Sequence, residues 1–216
     1  METLTISLRD HSYTSITVLI LALASVVYLV RLRNKSLAVK WLVAAYVWFT
    51  MAALGLWVSA SVGFTGYAVW PLPYTAGLIG LAALVQFAYR LPELDQPRKA
   101  RLWLYLSGAA ILVALGFTLY TAQRVLSGSA FRTGLESVFP LVLPLGTLAA
   151  MAAFLQRALH FARPAAASAG GVSGRWRYYV GALIRPPNRY TLALRDFSIG
   201  LAFVLVAGIA YPLADV

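Results

Sequence analysis

The side chains that could do chemistry in this chain of 216 residues are few: 2 His, no Cys, and 7 Asp and Glu set against 18 Lys and Arg. His11 and His160 stand before the first apolar run and at the end of the fifth. If those runs cross a bilayer, the two imidazoles lie on opposite faces and cannot be the two axial ligands of one haem, which leaves only a single-histidine haem. His160 has no carboxylate or thiol beside it in sequence to orient it as a metal ligand and His11 has only Asp10, so both read as interfacial histidines. Without cysteine there is no disulfide, thiolate metal site or iron–sulfur cluster. A retinal-type Schiff base needs a lysine within the membrane, and Lys35, Lys40 and Lys99 all fall between apolar runs. No nucleophile motif of Ser, His and Asp is present. No Lys, Arg, Asp or Glu stands near the middle of an apolar run, where an ionisable residue would mark a proton or ion pathway. These residues imply no cofactor and no catalysis.

Two stretches have the pattern of binding surfaces. In FPLVLPLG, Pro140 and Pro144 lie four residues apart on one helical face. Each removes a backbone hydrogen bond, which frees the carbonyls of Glu136 and Pro140 and opens the outer part of the helix. With Glu136, Arg132 and Trp70 these prolines form a candidate ligand pocket; the alternative is a kink that only packs the helix against its neighbours. In RWRYYVGALIR, Trp176, Tyr179, Val180, Leu183 and Ile184 fall at helical spacing on one face while Arg175 and Arg177 lie off it. That is the pattern of a short interfacial helix over 175–185. Together with Arg185 and Arg189, Arg175, Trp176 and Arg177 form a candidate surface for anionic lipid or a partner.

The elements that position these groups are membrane helices. Hydrophobic residues make up 61% and charged residues 12% of the chain, and the mean hydropathy is +0.76; a soluble domain carries about 25% charged residues. Apolar runs of about 20 residues rather than alternating ten-residue segments predict an all-α, polytopic transmembrane helical bundle and not a barrel. Six spans are expected, at about 13–30, 41–62, 73–90, 102–122, 138–159 and 196–213 of a single membrane domain covering 1–216. The small-residue stretch 164–174 reads as a flexible linker ahead of the interfacial helix. The net charge of +11 lies in the connections, where it signals topology rather than nucleic-acid binding. Only Arg9, Arg124 and Arg132 of the 18 Lys and Arg fall on the expected outer side. This bias places the N-terminus outside and the three basic connections inside a bacterial cytoplasmic membrane. The first run is expected to be a retained span and not a cleaved signal, because its strongest basic cluster follows it. Six spans from an outside N-terminus also put Val216 outside. Pairs of small residues four apart, Ala76 and Gly80, Ala110 and Ala114, Ala149 and Ala153, predict close helix packing. Gly200 and Gly208 are the better candidates for contact with a further helix, in a homo-oligomer or a membrane complex.

Three segments carry a resemblance: RLRNKSLAVKWL (Arg31 to Leu42), FAYRLPE (Phe87 to Glu93) and RPPNRYTLALRDF (Arg185 to Phe197). With the overall layout, they resemble the N-terminal seven-helix membrane input modules of bacterial signalling proteins, which precede histidine-kinase or nucleotide-cyclase domains. The resemblance implies a sensory role for a ligand or membrane state, with no catalysis by the membrane part. Those modules have a seventh helix leading into the output domain, and six spans are expected here. Two further readings stand beside this one. The first is a structural or accessory subunit of a larger membrane complex. The second is a small transporter or lipid-modifying enzyme whose cavity the aromatic-rich second and fourth spans and the proline-opened fifth would line, a reading that requires activity to fall on alanine replacement of Glu136, Arg132, Gln86 and His160.

Overall fold

A computed structural model describes residues 10–31, 36–61, 71–92, 95–127, 139–166 and 172–214. The described residues form helices, with no strand among them: α1 Asp10–Arg31, α2 Leu37–Ser61, α3 Pro71–Arg90, α4 Pro97–Leu126, α5 Phe139–Ala166, α6 Val172–Ile184 and α7 Arg189–Ala214. Four stretches are long and apolar enough to cross a membrane, Leu37–Val58, Leu72–Arg90, Pro97–Arg124 and Leu141–Ala162. At 1.5 Å per residue, a helix of about 20 residues matches a hydrocarbon core of about 30 Å. In α1 the apolar stretch is the shorter Leu19–Arg31. The chain is therefore an all-helical bundle whose long apolar helices are compatible with a multi-pass membrane protein.

Local chemistry accounts for several helix starts. Pro71 and Pro97 open α3 and α4, where the missing N–H would be without an intrahelical partner in any case. Ser36 accepts a hydrogen bond from the Val39 amide through its Oγ at 3.3 Å ahead of α2. Asn188 accepts one from the Thr191 amide through Oδ1 at 2.8 Å ahead of α7, the N-cap bond that satisfies one of the orphan donors of a first turn. Asn188→Ala should therefore lower stability by about 1 kcal/mol while Asn188→Asp keeps most of it; thermal unfolding of the purified variants in detergent measures the difference.

The helix α3 is the hub. It packs against α2, α4 and α5; α1 packs on α2, and α7 on α5. Nearly every α3 side chain from Pro73 to Tyr89 is buried. Close approach needs small residues, since a Cβ at Gly80 would fall 2.7 Å from the Phe49 ring of α2, and one at Gly77 would fall 2.7 Å from Leu143 of α5. A Cβ at Gly200, by contrast, meets nothing within 4 Å, so that face of α7 is open where a further helix was anticipated.

The helix α4 is attached differently. It meets the bundle through α3, along a seam in which Ala100, Ala114 and Thr121 are buried. Its other sides carry exposed Leu102, Leu104, Tyr105, Leu112, Val113 and Leu119, an apolar surface far more extensive than a water-soluble monomer tolerates and the expected one for contact with lipid tails.

Helices cover each of the six expected runs, with ends displaced by up to seven residues, and four of them are long and apolar enough to cross a membrane among the described residues. The anticipated interfacial helix over 175–185 corresponds to α6, Val172–Ile184, and the anticipated linker over 164–174 is helical at both ends; its centre, 167–171, lies outside the described residues.

Candidate functional site

One end of the bundle collects the polar groups. The start of α2, the end of α3, the start of α4, the last third of α5 and the start of α7 meet there. Phe87 of α3, Phe154 of α5 and Phe197 of α7 knit this end together with ring centroids 5.3–6.2 Å apart. Around that apolar centre lie Gln86, Tyr89, Arg90, Asp95, Trp103, Gln156, Arg157 and His160, drawn from four segments.

Arg157 is the centre of the site. It falls inside the apolar stretch 141–162 of α5, and its side chain is 0% exposed. Its Nε donates to the Ala88 carbonyl at 3.3 Å and its Nη2 to the Leu91 carbonyl at 3.2 Å. The last carbonyls of α3, a helix ending at Arg90, have no intrahelical donor, and the negative end of the helix dipole collects at them. Arg157 thus caps α3 from another helix, supplying both the missing donors and a complementary charge. Its Nη1 pairs with Asp95 Oδ1, and its guanidinium lies over the Phe161 ring, 4.4 Å from the centroid.

Asp95 comes from the connection between α3 and α4, and its side chain is 40% exposed. Its second oxygen lies 3.0 Å from His160 Nε2, within hydrogen-bond distance. Arg157 and His160 are three residues apart and so lie on the same face of α5. One carboxylate from a connection therefore bridges a buried arginine and a partly exposed histidine of a single helix.

Beside this bridge runs a neutral chain. The Trp103 indole N–H donates to Tyr89 Oη at 3.1 Å, and the Tyr89 hydroxyl donates to Gln156 Oε1 at 2.6 Å. One turn earlier on α3, Gln86 Nε2 donates to the Ala100 carbonyl at 2.9 Å, Gln86 Oε1 accepts from Arg90, and the Arg90 guanidinium lies 5.0 Å from the Trp41 ring centroid. Burying such groups is favourable only when they find partners, and apart from the Gln86–Arg90 pair within α3 the partners come from different helices or connections.

A second arginine repeats the capping device. Arg195 of α7 donates through Nη1 to the Leu183 and Ile184 carbonyls at the end of α6, at 3.2 and 3.3 Å, and pairs with Asp196. Two of the positive charges read as topology signals are thus also helix caps.

No family model, no curated protein and no solved structure matches this chain. The site must be read from its own geometry.

Of the candidates drawn from the sequence, only some lie among the described residues. Pro140 and Pro144 lie in an α5 that is helical from Phe139 onward. Pro140 stands in its first turn, where proline is tolerated; Pro144 is half-buried. Glu136, Arg132 and Trp70 lie outside the described residues. Arg175, Trp176 and Arg177 sit in α6, with their side chains outside the described set. Arg185 and Arg189 flank the turn between α6 and α7, and both are exposed. On α6, Val180 and Ile184 are exposed and Ala182 is buried.

Sequence reasoning missed the bridge because its members lie far apart in the chain. It assigned Arg157 to the inner connections, whereas the arginine is buried in α5. It found no carboxylate for His160, whereas Asp95 supplies one over a separation of 65 residues. Two signals were available: the Arg157 and His160 spacing on one helix face, and a lone aspartate in a basic exit segment.

Proposed function

We propose that the chain is a multi-pass sensory input module of a bacterial inner membrane, without catalysis of its own. The Asp95 bridge carries this reading. It couples a connection at the polar end of the bundle to the interior of α5, and a displacement of α5 against α3 and its exit segment would disturb five charged or hydrogen-bonded contacts at once. Bonds of that kind favour two discrete arrangements over a continuum, which is what a switching element requires. The proposed orientation has six spans, the N-terminus outside, and the polar end with its basic connections facing the cytoplasm, in keeping with the excess of Lys and Arg in those connections. The exposed Arg185 and Arg189 on that side would meet anionic headgroups or the next component of the signalling chain.

The chain contains no cysteine, so single cysteines can be introduced freely. Spin labels at Gln96 and at Leu159, in proteoliposomes of differing acyl-chain length, should give two distance populations whose ratio changes with bilayer thickness. A single population unchanged across all bilayers would end the sensory reading. The orientation has its own measurement: cysteines at Arg33 and Arg185 should be shielded from an impermeant maleimide in intact cells, and one at Arg124 should react.

A second reading, an accessory subunit of a larger complex, is favoured by the open apolar sides of α4. Purification in mild detergent separates the two, since this reading requires other subunits to co-purify in fixed proportion.

A further inference from the structure

Because α4 and α5 each pack on α3 rather than on one another, a cleft of about 320 Å³ remains between them. Its floor is α3, at Leu78, Leu81 and Val85, and its walls include Trp103 and Ala110 of α4 and Gly146 and Ala149 of α5. The cleft opens sideways, and Leu106 and Leu145 on its rims are 54% and 63% exposed.

The cleft is apolar along its length and polar at one end. From Leu78 to Val85 it follows α3 for about 10 Å at 1.5 Å per residue. That is most of the acyl region of a single leaflet, which is about half of a 30 Å hydrocarbon core. At the polar end Trp103 lines the cleft, and Gln156, just beyond the lining, is joined to it through the Tyr89 hydroxyl. Gln156 is exposed and uses its Oε1 to accept from Tyr89, which leaves its amide hydrogens out of that bond. Lys99, also exposed, shares one face of α4 with Trp103, Leu106 and Ala110 by helical spacing. A cationic ammonium and a neutral amide donor therefore border the end from which an acyl chain of that leaflet would enter.

We propose that this cleft is a specific site for one anionic phospholipid, with an acyl chain between α4 and α5 and its phosphate at Lys99 and Gln156. The site is distinct from the basic surface of α6 and does not depend on a signalling role. A helix of a second copy is a poorer occupant: a helix is about 10–12 Å across, more than a cleft of this volume admits, and the cleft runs along one leaflet rather than through both.

The full chain, purified in mild detergent and returned to nanodiscs of equal phosphatidylcholine and phosphatidylglycerol with matched chains, provides the test. Native mass spectrometry after release should show one phosphatidylglycerol retained in preference to phosphatidylcholine. Lys99→Gln, an exposed position, should reduce that preference about fivefold, the effect of one cationic side chain near an anionic lipid. Ala110→Trp, which fills the cleft from an exposed position, should abolish retention while the unfolding temperature stays near that of the parent. Quenching by brominated phosphatidylglycerol, taken as the difference between the parent and Trp103→Phe, gives an independent readout and should exceed the quenching by brominated phosphatidylcholine. Equal retention of the two lipids, an unchanged preference in Lys99→Gln, or undiminished binding in Ala110→Trp overturns the proposal, as does a dimer that Ala110→Trp dissociates.

Discussion

Arg157→Ala is expected to cost about 2–4 kcal/mol, chiefly because two backbone carbonyls lose their donors at about 1–3 kcal/mol each, while the partly exposed Asp95 can turn to water. The Ala88 and Leu91 carbonyls lose their donors, Asp95 loses its innermost partner, and the Phe161 ring loses the cation above it. The opposing consideration is that a buried ion pair replaced by well-packed apolar groups can be neutral. It carries less weight here, because two of the acceptors are backbone carbonyls that no substitution removes. Arg157→Met separates the terms by refilling the volume without restoring a donor. It should recover only part of the loss. Arg157→Lys should fall in between, since a point donor cannot serve two carbonyls and a carboxylate as a planar guanidinium does. Thermal unfolding in detergent ranks the series, and a methionine variant as stable as the parent would show that capping α3 contributes nothing. Asp95→Asn should cost less than Arg157→Ala, because water already reaches the aspartate, which is 40% exposed.

The second large effect lies in the α2–α3 interface. Gly80→Ala places a methyl 2.7, 2.8 and 3.1 Å from three ring carbons of Phe49. An aromatic ring cannot yield as an aliphatic tip can, so the helices must part or the ring must leave its rotamer, at about 1–3 kcal/mol. Gly77→Ala meets only the flexible end of Leu143 and should cost less. Gly116→Ala projects into open space and should be neutral or stabilising by up to about 1 kcal/mol. The Phe49→Leu change should rescue Gly80→Ala and leave Gly116→Ala as it was. Without that rescue, the attribution to the ring contact fails.

Helices were legible because apolar runs of bilayer length, opened by proline and bounded by charged or aromatic residues, are local signals. The interior of the site was not, for a specific physical reason. A buried arginine near a helix end and a topology arginine in a connection have the same sequence signature, and only the fold separates the buried Arg157 from the exposed Arg185. His160 was read as lacking a carboxylate because adjacency was judged along the chain, while Asp95 reaches it from the turn between α3 and α4. The pocket expected at Pro140 and Pro144 with Glu136, Arg132 and Trp70 falls largely outside the described residues. The cleft instead follows from topology, since α4 and α5 share α3 without packing together, and no residue type announces that. Gly80 was legible as a small residue, and its partner Phe49 was not.

The cap that Arg157 places on α3 also bears on how the protein is assembled. An arginine entering the bilayer on an isolated helix costs about 2.5–3.5 kcal/mol at the helix centre and less toward the interface. Its carbonyl acceptors at Ala88 and Leu91 precede it in the chain by 69 and 66 residues, and Asp95 precedes it as well. During synthesis the α3–α4 hairpin is made before α5 emerges, so the arginine arrives to find its acceptors already made. The same contacts in reverse order would leave α5 to carry an unneutralised charge through insertion.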